Sequence, residues 1–62
     1  MNNNITISST AKVNICVALK ATIKHEHDLR KNAQKIGMNN TANYWRNRIK
    51  ANIAAYREIQ SI

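Results

Sequence analysis

The 62-residue chain has no proline, no phenylalanine, one glycine, one cysteine and three acidic residues. With Cys16 alone no internal disulfide forms, and one cysteine plus two histidines fall short of a four-ligand zinc site. A single glycine, Gly37, excludes a glycine-rich loop that cradles phosphates. Cys16 has no histidine in a recognisable arrangement, so nucleophilic catalysis is not expected. No apolar run approaches the roughly 18 residues of a membrane span. The start, Met1-Asn-Asn-Asn, lacks the basic segment and apolar stretch of a secretory signal, which makes the reducing cytoplasm the expected location. Neither a cofactor, a metal, an enzyme activity nor a membrane partner is expected.

What the chain does have is apolar content and positive charge. Hydrophobic residues make up 44% of it, too many for a compositionally disordered segment. A domain this small buries only about 60% of its unfolded surface, so oligomerisation is the expected remaining source of stability. Ten Lys and Arg against three acids give a net charge of +7. Between Asp28 and Glu58 there is no acid, yet Arg30, Lys31, Lys35, Arg46, Arg48, Lys50 and Arg57 all lie there. A one-sign block in a foldable segment suits a polyanionic partner, whereas a merely solubilising surface mixes both signs.

Residues 1–10 are polar around Ile5 and Ile7 and read as a flexible arm, with a short extended piece at Ile5–Ser8. From Lys12 the pattern alternates. Val13, Ile15, Val17, Leu19, Ala21 and Ile23 occupy odd positions, and Lys12, Asn14, Lys20, Thr22 and Lys24 occupy even ones. Alternation in a β-branched stretch predicts a strand over about 12–18. A lone strand does not persist in water, so its partner is expected from a second copy of the chain.

After Ala21 the spacing lengthens. Thr22 can cap a helix over about 22–36, in which His25, Leu29, Ala33 and Ile36 recur at helical intervals. Lys24 with Asp28 and Glu26 with Arg30 form i,i+4 pairs there. Gly37 stands at a natural helix stop. Asn39, Asn40 and Thr41 offer three N-cap candidates for a second helix over about 40–60. Its apolar stripe runs Ala42, Trp45, Ile49, Ile53, Tyr56, with Ile59 close behind, while Arg46, Asn47, Lys50 and Arg57 lie away from it. The expected class is mainly α, with one short N-terminal strand.

This order of elements resembles the ribbon-helix-helix DNA-binding family of the Arc, MetJ and CopG type. Three segments carry the resemblance: Lys12-Val-Asn-Ile-Cys-Val as the ribbon, Ile36-Gly37-Met38-Asn39 as the turn, and a second helix bearing Tyr44-Trp45 and Ile49. It covers about residues 11–56, and the start Ala11-Lys-Val-Asn is also similar to the ribbon of plasmid-transfer regulators. The chain departs from the family in a stretch before Gly37 about one helical turn longer, in Arg48 at a usually apolar position, and in Cys16 at a usually polar one.

The resemblance implies an intertwined homodimer whose two strands pair into an antiparallel ribbon that enters the major groove of double-stranded DNA. Lys12, Asn14 and Cys16 would then face the bases, and Asn39, Asn40, Thr41, Arg46 and Lys50 the phosphates. Val13, Ile15, Val17, Leu29, Ala33, Trp45, Ile49 and Ile53 would form the dimer core. Such a protein would be a repressor or accessory factor at a phage or plasmid DNA site, with higher-order assembly on DNA allowed.

Two rival readings stay open. Ala33, Gly37 and Met38 with Ala42 and Trp45 also fit a helix-turn-helix. A small basic helical protein that binds and inhibits a protein partner would share the amphipathic second helix. His25 and His27 point to different faces of a helix and read as a surface pair rather than metal ligands.

Overall fold

The computed structural model describes residues 7–62, and they form a hairpin of two long α-helices. Helix α1 spans Ser9–Lys35 and α2 spans Asn39–Gln60. No strand occurs among the described residues. The ribbon is therefore overturned, and the ribbon-helix-helix architecture with it: residues 12–18 lie within α1. Of the expected arm, residues 1–6 lie outside the described residues, as does the first half of the Ile5–Ser8 piece; Ser9 and Thr10 belong to the first helical turn.

The physical reason begins at Ser8. Its extended backbone starts the helix, and its hydroxyl accepts the Ala11 amide at 3.1 Å. That satisfies one of the amides a helix start leaves free. Beyond it a helix pairs every backbone group within the chain, whereas a strand here would need another strand to accept its hydrogen bonds. Thr22, expected as a cap, sits in mid-helix, where its hydroxyl donates to the Ala18 carbonyl at 2.9 Å.

Alternation also misled because the inward positions of α1 follow a different repeat. The residues turned toward α2 are Lys12, Cys16, Leu19, Ile23, Glu26, Arg30 and Ala33, spaced four and three apart, and each is buried or half-buried. Helix α2 answers with Ala42, Trp45, Ile49, Asn52, Tyr56 and Ile59 on the same repeat, again all buried or half-buried. Two helices with such a 3-4 seam pack as an antiparallel coiled coil. Val13, Ile15 and Val17 are 59%, 37% and 61% exposed, so the first three residues assigned to a dimer core lie on the outside of the hairpin. Leu29, Trp45 and Ile53 are half-buried, and Ala33 and Ile49 are buried against the facing helix.

The turn follows from Gly37. Its φ of +80° is left-handed, a region that costs other residues a steric clash. That conformation lets the Met38 amide reach the Ala33 carbonyl at 2.8 Å and the Gly37 amide reach Gln34 at 3.1 Å. These two bonds close the helix in a Schellman motif. Helix α2 begins directly afterwards with Met38 at its N-cap and no side-chain cap bond, so none of Asn39, Asn40 and Thr41 caps it.

The centre of the hairpin is polar. Glu26 is only 3% exposed. Its carboxylate accepts the Asn52 side-chain amide at 2.6 Å and lies 3.4 Å from the Arg48 guanidinium. The expected Glu26–Arg30 pair is replaced by this arrangement, and Arg30 instead donates to Gln34 at 2.6 Å. The ion pair found among the described residues is Arg48–Glu26; Lys24 and Asp28 form none. A buried carboxylate persists only with such partners, because its transfer from water is costly.

Candidate polyanion-binding face

Four contacts fix the register between the helices. Lys12 Nζ donates to the Gln60 carbonyl at 3.0 Å, Lys20 Nζ lies 5.6 Å from the Tyr56 ring centroid, and Glu26 meets both Arg48 and Asn52. The helices thus stay side by side from the turn to the open end. A helix-turn-helix, whose helices cross at about 90–120°, is a different arrangement.

Each helix carries a row of side chains one residue beyond its inward positions. On α1 the row is Lys20, Lys24, His27, Lys31; on α2 it is Arg46, Lys50, Ile53, Arg57. Both rows have the spacing i, i+4, i+7, i+11, which keeps a row on one side of a helix. One step along the chain turns a side chain the same way about each helix axis. Because the helices run in opposite directions, that turn brings both rows to the same broad side of the hairpin. In the register that sets Lys20 across from Arg57 and Lys31 across from Arg46, Lys24 faces Ile53 and Lys50 faces His27. The six cations therefore form a facing pair at each end with Lys24 and Lys50 staggered between them, and neither row contains a carboxylate. Asp28 flanks the α1 row beside Lys24 and Lys31, where a shallow depression is also lined by Ile23, His27 and Tyr56.

The spacing explains why all six are tolerated. Each row extends about 16 Å along its helix at 1.5 Å per residue, and the two rows stand on axes about 8–10 Å apart. Extended lysines and arginines there keep their charges in water while their stems cover the seam. Arg46 also donates to Asn43 Oδ1 at 2.9 Å, which steadies one end of the α2 row.

The residues expected to contact DNA are redistributed by the helix. Lys12 and Cys16 turn toward α2, and Lys12 is tied to Gln60. Asn14 is exposed on the far side of α1 from Lys12, since two residues of a helix subtend about 200°. Lys12, Asn14 and Cys16 therefore share no face and cannot read adjacent bases as a set. Asn39, Asn40 and Thr41 do lie together, lining a shallow depression with Gly37 and Met38 at the turn. Arg46 and Lys50 belong to the cationic rows. The charge block of the sequence takes in Lys31, Arg46, Lys50 and Arg57 but leaves out Lys20 and Lys24; the i,i+4,i+11 spacing of Lys20, Lys24 and Lys31 was the available signal.

Trp45 is half-buried in the seam and touches Tyr44 edge-on, with ring centroids 5.0 Å apart. Among the described residues no three His, Cys, Asp or Glu side chains come together as a metal site would require, and no helix is long and apolar enough to cross a membrane. Compared with known proteins, the chain matches no family model, no curated protein and no solved structure.

Proposed function

We propose that the hairpin binds double-stranded DNA through the phosphate backbone, with the two rows Lys20, Lys24, Lys31 and Arg46, Lys50, Arg57 as its contact surface. The observation that carries this reading is the concentration of six cations, without a carboxylate in either row, on one broad face. Phosphates of a duplex carry a dense charge and a condensed counterion layer, and cations that neutralise them release those counterions. The two rows are separated by about 8–10 Å, between the widths of the minor and major grooves, so each can follow one phosphate strand. Without a ribbon the described residues present no side-chain set that reads base edges, so recognition rests on phosphates and on duplex shape. A protein with this behaviour acts at DNA as an accessory or occluding factor, and the role of repressor follows from occupancy rather than from base contacts.

The test is a salt titration of duplex binding by fluorescence anisotropy. Six phosphate contacts give a slope of log affinity against log salt near −5, or about a thousandfold loss between 50 and 200 mM salt. Lys24→Ala and Lys50→Ala should each reduce that slope by about 1, and by the same amount on unrelated duplexes. Arg48→Ala, on the opposite face, should leave the slope unchanged. A salt-independent affinity, equal loss with Arg48→Ala, or binding to anionic vesicles in place of the duplex would refute the proposal.

A further inference from the structure

The side of the hairpin opposite the cations has a different composition. One residue before each inward position stand Ile15, Ala18, Thr22, His25 and Leu29 on α1, and Tyr44, Arg48, Ala51, Ala55 and Glu58 on α2. One arginine and one glutamate make this face formally neutral, and most of the remainder is apolar or small. Ile15 is 37% exposed and Tyr44 is 56% exposed on it.

The dimensions show what such a face lacks. The hairpin measures 47 × 25 × 11 Å, so it is one helix thick and the described residues cover neither broad face. Among the described residues only Ala33, Ala42 and Ile49 are buried apolar ones, a thin core for two helices of this length. Most helical stability comes from packing an apolar face, so a second layer is the missing element.

We infer that the neutral faces of two copies pack against each other to form a four-helix bundle, leaving both cationic faces outward. A second copy fits because the face is self-complementary in charge: two neutral faces meet without bringing the two sets of six cations together, as the opposite pairing would. Arg48 selects the orientation. It meets Glu26 at 3.4 Å and lies between the levels of Glu26 and Leu29, about five residues from the middle of α1 toward the turn. If the long axes run in opposite directions, the two Arg48 side chains separate by roughly 15 Å, about twice the screening length at physiological salt. If the axes run in the same direction, the two arginines stand at the same level of the interface, closer together than in the reversed arrangement. The reversed arrangement also sets the Ile15, Ala18 and Ala55 end of one copy on the Leu29 and Tyr44 end of the other.

This inference rests on the fold and not on DNA binding, and its test uses the full chain without nucleic acid. Sedimentation equilibrium should give twice the monomer mass across the micromolar range, and the melting temperature should rise with protein concentration, as it does when association is linked to folding. Ala18→Arg and Ala51→Arg place cations in the neutral face and should shift the mass to monomer or abolish the concentration dependence. Val17→Arg, on the cationic side, should leave the dimer intact. A helical wild-type monomer throughout that range, a melting temperature independent of concentration, or a dimer broken by Val17→Arg and not by Ala18→Arg would overturn it. Because the wild-type melt is read alone, the outcome does not depend on the arginine variants remaining folded.

Discussion

The Glu26 layer gives the sharpest energetic prediction. Its carboxylate is nearly inaccessible and is held by Asn52 at 2.6 Å, with the half-exposed Arg48 at 3.4 Å. Asn52→Leu removes the short hydrogen bond and leaves a buried charge whose sole remaining partner is a long, partly hydrated ion pair. Breaking such an arrangement from one side costs about 3 kcal/mol. Glu26→Leu removes the charge itself, and the half-buried Asn52 amide can turn toward water, so the cost falls to about 1 kcal/mol. The double variant replaces the layer by apolar contact and should be neutral or more stable than wild type by about 1 kcal/mol. The coupling between the two positions is then at least about 4 kcal/mol, well beyond additivity for independent sites. Urea unfolding followed by helix ellipticity at fixed protein concentration measures all four species. Additive effects, or an Asn52→Leu cost below about 0.5 kcal/mol, would show that the carboxylate is not energetically dependent on this contact.

Three further outcomes follow from the same geometry. Gly37→Ala meets no atom within 4 Å of its new Cβ, so its whole cost is the left-handed backbone at φ +80°; about 1 kcal/mol, read as a fall in melting temperature of about 4–8 °C, is expected. Ala42→Leu forces three extra carbons into a site that is 1% exposed, and calorimetry should show destabilisation of about 1–3 kcal/mol. If both cationic faces point outward from a dimer, the protein should bridge two duplexes at low salt; light scattering should rise on mixing, and Ala18→Arg should abolish that rise.

The second helix was legible because its apolar stripe keeps one period from Ala42 to Tyr56, and Gly37 marked the stop before it. The start of α1 was not. Val13, Ile15 and Val17 alternate with polar residues, and this regularity outweighed a seam whose inward members include Lys12 and Cys16, neither of which counts as an apolar signal. Lys12 faces α2 because its stem runs along the seam to the Gln60 carbonyl, a contact 48 residues away in sequence. Glu26 escaped notice for a related reason. An acid in a helix reads as surface, and its partners Arg48 and Asn52 lie on the other helix. The cationic face was partly visible: Lys31, Arg46, Lys50 and Arg57 stood out in an acid-free stretch, whereas Lys20 and Lys24 join them only once the antiparallel register is known.

That register is where the polar layer and the cationic face meet. Ala33 and Ala42 are small, and a seam built only of such residues and a few aliphatic ones would accept a shift of one helix turn at little cost. Glu26 does not. A shift of one turn along α2 moves its carboxylate away from Asn52 and against apolar residues of the same seam, exposing the full penalty of an unpaired buried charge. The two cation pairs depend on the same alignment, since a slipped hairpin would bring Lys20 and Lys31 level with other residues than Arg57 and Arg46. A single buried polar contact specifies register in coiled coils at a cost in stability. The Glu26–Asn52 pair serves this chain in the same way, which is why an apolar replacement can gain stability while losing the alignment of the charged rows.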